Sequence, residues 1–216
     1  MVVPPLLAVV VLALAAITHA WALWWLGGVL VALWLVYLAG APRALGKRPD
    51  GTISIAAWIF WAPVFAYQWL AHEVIRRFTT EPVATEVSPG VWVGRRPRSD
   101  ELPDGVAIIV DLCAEFAAAP GVRSHARYVA VPTLDASSPS PAEIARLVDA
   151  VAAAGGAAFI HCALGHGRSA TVAAAVLVRR GDATLADVEA KLRASRPKIS
   201  LNARQRAALA EASKPR

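Results

Sequence analysis

Residues 2–39 contain one histidine and no Lys, Arg, Asp or Glu. A charge-free run of this length severely limits how the chain can fold. Backbone polar groups in apolar surroundings must satisfy one another, and a helix does this within a single segment. Crossing a bilayer takes roughly 20 apolar residues at about 1.5 Å each. Val2–Thr18 and Trp21–Gly40 are two such candidates, separated by His19 and Ala20. One helix over both would be nearly twice as long as the hydrocarbon core is thick, so a tight helical hairpin is predicted. Trp21, Trp24 and Trp25 suit anchoring at headgroup level, whereas Trp34 falls within a span. The run has no basic n-region and does not stop at a small-residue cleavage site, which argues against a removable signal peptide.

Ile53–Ala71 is a second charge-free stretch. Its flanks are both basic, Arg43, Lys47 and Arg48 before it and Arg76 and Arg77 after it, and a simple span cannot keep both on one side. Two arrangements stay open. One is a third full crossing. The other is a helix broken at Pro63 and lying in the interface, with Trp58, Trp61, Tyr67 and Trp69 among the headgroups. Residues 1–78 are therefore read as a membrane region, two transmembrane helices plus a third spanning or interfacial helix at 53–76. Residues 80–216 are of a size suited to one soluble domain.

The net charge is +6. The basic residues are scattered, with Arg95, Arg96 and Arg98, then Arg179 and Arg180, then a run from Lys191 to Arg206. No aromatic residues alternate with them as a nucleic-acid stacking surface would need, so nucleic acid is not an expected partner. Anionic headgroups of the bilayer or phosphorylated substrates fit better. The only cysteines are Cys113 and Cys162. Two cysteines make neither a disulfide framework nor a four-ligand zinc site, and they suit a reducing compartment. The soluble domain is thus expected on the cytoplasmic side of a membrane, taken as a bacterial inner membrane.

Within that domain, Val83–Val87 and Val91–Gly94 flank Ser88-Pro89-Gly90 as a hairpin. Val106–Leu112, Arg127–Val131 and Ala157–His161 are short apolar runs typical of buried strands. Helices are predicted over Pro141–Ala154, Ser169–Arg180, Thr184–Ser195 and Asn202–Ser213, the third with Thr184 and Asp187 as a capping box. Strands alternating with helices imply an α/β domain, a mostly parallel central sheet flanked by helices.

The chemistry concentrates in His161-Cys162-Ala163-Leu164-Gly165-His166-Gly167-Arg168-Ser169. A strand running into this segment and a helix leaving it put a loop at a helix N-terminus, where backbone N–H groups and the helix dipole favour an anion. Ala163, Leu164, Gly165, His166 and Gly167 would cradle a phosphate, the glycines allowing the tight turn. Arg168 can grip two phosphate oxygens and stabilise the charge of phosphoryl transfer. The same field favours the thiolate of Cys162, which is the nucleophile of a phosphocysteine mechanism. His161 would orient the loop. Ser169 can donate a hydrogen bond to the departing thiolate. The leaving alkoxide needs a proton, and Asp135, in a Ser/Pro-rich loop after a buried strand, is the candidate acid. No cofactor and no metal enter this chemistry.

These residues resemble the dual-specificity branch of the protein tyrosine phosphatase superfamily over about Val87–Leu209. The supporting segments are Val87–Gly94 as an opening hairpin, the motif itself, and Arg196-Pro197-Lys198-Ile199-Ser200-Leu201-Asn202 with Gln205 before the last helix. The resemblance implies the dual-specificity phosphatase fold, Cys162 as nucleophile, Arg168 as phosphate ligand and Asp135 as general acid. Asp111-Leu112-Cys113-Ala114-Glu115 and Gly165-His166-Gly167-Arg168 are similar to the phosphoinositide phosphatases, in which lysine occupies loop positions held here by Ala163 and His166. His166 is then either a reader of a second anionic group or a plain loop residue. Two substrate classes stay open: a phosphorylated lipid of phosphoinositide or phosphatidylglycerophosphate type, and a phosphoprotein. A non-enzymatic phosphate-binding module is the third reading, opposed by the presence of Cys162, Arg168 and Asp135 together. Cys113, ending a strand expected beside that of Cys162, is either a redox partner for the nucleophile or an inert buried thiol. Oligomeric state is not readable.

Overall fold

A computed structural model describes residues 5–214, so residues 2–4 of the first expected span lie outside the described residues. α1 (Pro5–Thr18) and α2 (Trp21–Ala39) form a helical hairpin, with His19 at φ 54° in the turn. Their contact is built from small residues. Ala8 and Ala15 are buried, and a Cβ on Gly27 would come within 2.4 Å of Leu12. Such residues let helix backbones approach closely where lipid offers no hydrophobic drive. Among the described residues α2 alone is long and apolar enough to cross a membrane, and much of its surface is exposed apolar side chain, including Trp21, Trp24, Leu35 and Leu38. α1, at 14 residues, spans only about 21 Å.

The second charge-free stretch breaks near its proline. α3 (Ile55–Phe60) and α4 (Ala62–Phe78) meet at Trp61, with Pro63 in the first turn of α4 where its missing N–H costs nothing. Trp61 is buried and donates its indole N–H to Ala44 O at 2.9 Å. It is therefore a packing residue, not the headgroup anchor expected from the sequence.

The sheet that follows has β1 (Ala84–Ser88), β2 (Val91–Arg95), β3 (Val106–Cys113), β4 (Tyr128–Thr133) and β5 (Ala157–Cys162) in the order β1-β2-β5-β3-β4. β1 pairs antiparallel with β2, and all other pairings are parallel. The parallel strands read as unbroken apolar runs because both faces are covered. On one face lie α6 (Pro141–Ala154), α7 (Arg168–Arg180), α8 (Val188–Ser195) and α9 (Ala203–Ala212), around Val110, Leu112, Ile144, Ile160, Ala173 and Leu177. On the other, Ile109 and Phe159 pack under α5 (Pro120–Arg123).

Ser140 and Asn202, which the sequence reading did not single out as caps, close α6 and α9 as reciprocal boxes with Glu143 and Gln205. The helix predicted from Thr184 starts four residues later. Asp187 Oδ1 instead accepts the Thr184 N–H at 2.7 Å and closes a turn ahead of the helix.

A third cluster joins the apolar helices to the sheet domain. Val29, Leu33, Val36, Leu45, Ile53, Trp61 and Phe65 pack with Ala114 and Leu134. Beside it Lys47, between α2 and α3, donates to Asp111 of β3 at 2.6 Å in a fully buried ion pair.

Candidate active site

β5 ends on Cys162, which is buried, and α7 starts on Arg168. The loop between them is pinned by its carbonyls. Arg96 N donates to Ala163 O at 3.2 Å, and His72 Nε2 lies 3.2 Å from the same oxygen. Arg196 Nη2 donates to Leu164 O at 3.1 Å, Ser200 N to His166 O at 3.1 Å, and Thr171 N to Gly167 O at 2.8 Å. A planar trans peptide points its C=O and N–H in opposite directions. Carbonyls tied outward therefore turn the intervening N–H groups into the loop, making an anion cradle at a helix N-terminus. Gly165 N already donates to Cys162 Sγ at 3.3 Å. Gly165 has φ +81°, and a Cβ there would come within 2.5 Å of the Gly94 backbone, so the position demands glycine. Ser169 Oγ sits 3.3 Å from the sulfur.

Arg168 is 2% exposed and is not a free clamp. Its Nη1 and Nη2 donate to Glu115 Oε2 and Oε1 at 2.8 and 2.6 Å, and Nη1 also donates to Thr133 O at 2.7 Å. Burial alone would favour losing the proton, but the Glu115 carboxylate holds the guanidinium firmly charged. The fork is thus fixed in orientation, with Nη2 3.3 Å from Asp135 Oδ1. Glu115 appears in the sequence only inside a string shared with lipid phosphatases. Its contact with Arg168 follows from β3 lying beside β5 in the sheet.

Asp135 faces this arginine from a loop after β4, with its side chain 54% exposed. Partial burial acts to raise its pKa, but the Arg168 charge overrides this and holds the carboxyl below the usual range. Its neighbour Ala136 has φ 57°, a left-handed conformation unusual for a residue with a Cβ. The loop is tied from two sides. Asn202 Nδ2 donates to Ala136 O at 2.8 Å and Gln205 Nε2 to Ser137 O at 2.9 Å. From the opposite side, Tyr37 of α2 packs against the cluster that holds Leu134, the residue before Asp135.

His161 is buried and stacked on Phe159, with ring centroids 5.4 Å apart. Burial pushes its pKa down to about 4, so the ring is neutral. Asp111, Cys113 and His161 place their ligand atoms within 4.8 Å of one another. The Asp111 oxygens are already taken by Lys47 Nζ, Tyr128 Oη and Cys113 N, so the lysine supplies the positive charge that a metal ion would bring. Burial first, then Asp111 and Glu115, push the Cys113 thiol up. Cys113 groups with Asp111 and His161. Cys162, one residue beyond His161 in an alternating strand, packs instead in the core on the opposite face. Both thiols are free.

His166 is engaged within the protein. Its Nε2 lies 2.7 Å from Glu81 Oε2, a carboxylate also within 3.9 Å of Arg196 and 3.7 Å of Lys198. As a reader of a second anion it would first have to leave Glu81.

Residues 110–214 match the family described as dual specificity phosphatase, catalytic domain. No curated protein matches the chain. Among solved structures, Tk-PTP in the active form superposes with a TM-score of 0.53 at 24% identity, over 61% of this chain and 97% of its own. PTPMT1 in complex with PI(5)P gives a TM-score of 0.53 at 19% identity, over 61% and 94%. Human DUSP28 gives 0.50 at 24%, over 62% and 95%. At these identities the likeness to solved structures is one of fold, and the family match over residues 110–214 together with the loop around Cys162 makes the C-terminal domain a cysteine-dependent phosphatase similar to the dual-specificity phosphatases.

Proposed function

We propose that the protein is a membrane-anchored phosphatase that removes phosphate from a phospholipid headgroup through a phosphocysteine on Cys162. The observation that carries the lipid reading is the position of Tyr37. It lies two residues from the end of α2, the helix able to cross a membrane, and it packs on the cluster that holds Leu134, next to Asp135. The reaction centre therefore lies next to the end of the apolar hairpin, where a headgroup would be presented. On this reading residues 1–78 hold the enzyme in the bilayer and residues 80–216 work at its cytoplasmic surface.

The phosphomonoester dianion binds in the loop of residues 163–167, with Arg168 oriented by Glu115 against its oxygens. The Cys162 thiolate attacks phosphorus in line, the P–O bond to the headgroup breaks, and Asp135 donates its proton to the leaving oxygen. Asp135 rests ionised beside Arg168. A dianion between them offsets the arginine charge and favours the protonated acid. Water then attacks the phosphocysteine, Asp135 takes its proton, and phosphate leaves. Ser169 Oγ hydrogen-bonds the thiolate that is released.

The test uses the full-length protein in detergent micelles. Cys162→Ser should abolish phosphate release from an aryl phosphate, and activity surviving that change refutes the mechanism. A panel of phosphoinositides and phosphatidylglycerophosphate is compared with phosphotyrosine and phosphoserine peptides. A kcat/KM advantage for lipid of about tenfold or more, roughly 1.4 kcal/mol in the transition state, is expected. The reverse order sinks the lipid assignment and leaves a tethered protein phosphatase.

A further inference from the structure

The apolar segment that holds α3 and α4 begins and ends on the same domain. Ahead of it, Lys47 donates to Asp111 of β3 at 2.6 Å. Near its end, Arg76 pairs with Glu101, in the loop between β2 and β3. Both partners belong to the sheet domain, so the chain between them crosses a bilayer an even number of times. Two crossings need roughly 40 apolar residues, whereas α3 has 6 residues and α4 has 17. The segment therefore crosses no bilayer. Between its ends α4 is fastened to the domain turn by turn. Val64 and Phe65 pack in one cluster with Ala114 and Leu134. His72 Nε2 lies 3.2 Å from Ala163 O of the loop after Cys162, and Glu73 accepts from Arg98 at 3.0 Å. The polarity of this helix is inverted. A helix on a soluble domain keeps its apolar side inward and its polar side outward. Here His72 and Arg76 point inward to the domain, while Trp69, Leu70, Val74 and Phe78 are exposed, as is Ile59 of α3. Such a face marks a contact surface. Its surroundings say what covers it. α4 lies against α2, the helix able to cross a membrane, and exposed Arg43 and Arg77 flank the segment in the chain, where they complement anionic headgroups.

We propose that the outer face of α3 and α4 is a lipid-contact surface, lying in the plane of an anionic leaflet as an interfacial helix and not as a third span. The proposal rests on residues 1–78 holding the protein at a bilayer, as above, but not on lipid being the substrate. Its consequence concerns the active site. α4 turns Leu70 and Val74 to the lipid and His72, between them in the chain, to the carbonyl of Ala163. The start of the phosphate cradle thus stands about one helix diameter, roughly 10–12 Å, from the lipid-contact face. Burial of the exposed side chains in the boundary between headgroups and acyl chains fixes the height and the tilt of the catalytic domain over the membrane.

The experiment places full-length protein in vesicles of phosphatidylcholine and phosphatidylglycerol. A fluorophore is attached to one introduced cysteine at a time, Ile59→Cys, Leu70→Cys, Val74→Cys or Phe78→Cys, with Cys113→Ala and Cys162→Ser removing the native thiols. Lipids carrying a nitroxide near the headgroup or near the bilayer centre report depth. All four labels should be quenched about twofold or more better by the shallow nitroxide, at one common depth of about 5–10 Å into the boundary. A span over residues 53–71 would instead put Ile59 near the bilayer centre and Phe78 in water, about 28 Å apart along the helix, and that gradient overturns the proposal. Quenching by iodide from the water overturns it as well. Labels shielded from lipid and water alike mean that a second copy of the chain covers the face, which also overturns it. Three positions define the profile, so a variant that fails to fold is dropped without losing the test. In the chain with its native cysteines, Leu70→Ser with Val74→Ser should lower kcat/KM for a vesicle-borne phospholipid about fivefold or more and leave that for p-nitrophenyl phosphate within about twofold. Equal losses on both substrates count against the surface. A flat, shallow profile in a protein that prefers phosphopeptides removes the lipid substrate and keeps the surface. A depth gradient in a protein that turns over phospholipid removes the surface and keeps the substrate.

Discussion

The loop from Cys162 to Arg168 and the loop around Asp135 meet at Arg168, yet they are held very differently. The first is buried and made rigid by its own amino-acid order. A strand leads in, a helix leads out, Gly165 makes the turn, and outward-facing carbonyls bind Arg96, Arg196 and Ser200. The second carries a half-exposed carboxyl and a left-handed alanine, and its order comes from distant segments, α9 on one side and α2 on the other. The binding half of the site is thus built from the nine-residue motif and the partners that pin it, largely within the sheet domain. The half that the proposed mechanism assigns to proton transfer depends on tertiary contacts from α2 and α9.

The strongest way to break that contrast is at Lys47. Its ammonium is completely buried against Asp111, which also accepts from Tyr128 and from the Cys113 amide. Burial would raise the Asp111 pKa, but Lys47 first and His161 second hold it far below the usual carboxylate range. Lys47→Met leaves a buried carboxylate without its cation and should cost about 3–5 kcal/mol in thermal or denaturant unfolding of the full chain. Lys47→Met with Asp111→Asn removes both charges and should recover a large part of that loss. If Lys47→Met costs no more than an exposed pair, about 0–1 kcal/mol, then the helical region is a passive appendage and the contrast fails.

Legibility follows the same division. The signature loop, all five strand positions and the hairpin could be read because each is a short-range pattern of period and turn residue, whereas the caps at Ser140 and Asn202 were not singled out. Cys162, Arg168 and Asp135 were placed on the same reasoning, and the structure brings Arg168 and Asp135 to 3.3 Å. Tyr37 and Lys47 carried no local signal. A tyrosine near the end of an apolar helix reads as an interfacial anchor, and a lysine beside a span reads as a topology marker. Only packing against β3 and the acid loop gives them other roles. His166 and Trp61 show the converse, since local reasoning left one between a second anion and a plain loop position and placed the other at the headgroups if its helix lay in the interface, while Glu81 and Ala44 O engage them.

A middle-sized effect comes from His161, which lies between the two halves under the sheet. Burial lowers its pKa to about 4, against about 6.5 in an unfolded chain. Between those values the unfolded chain binds the extra proton and the fold does not, so stability rises with pH across this window and falls as pH drops through it. At pH 4 the loss reaches about 3 kcal/mol at most. Melting curves taken from pH 7 to pH 4 should show this slope, and His161→Asn should flatten it. A slope unchanged by His161→Asn would assign the titration elsewhere and separate His161 from the buried Asp111 network.

The smallest expected effect tests the α9 side of the acid loop. Gln205 Oε1 accepts from Asn202 N at 3.0 Å as part of the cap of α9, and Nε2 donates to Ser137 O at 2.9 Å. The same side chain lies against Gly167, where a Cβ would approach Nε2 to 2.9 Å, so it touches both loops at once. Gln205→Ala removes one cap partner and one tie, a loss of about 1 kcal/mol in stability. Its kinetic effect sharpens the comparison between the loops. If the acid loop is the softer of the two, turnover of phenyl phosphate, whose leaving group is poor, should fall about two- to fivefold, with a smaller fall for p-nitrophenyl phosphate and KM for both aryl phosphates nearly constant. A rise in KM with kcat unchanged would place the weakness in the phosphate loop instead, at Gly167, and the rigid and the supported halves of the site would have to be exchanged.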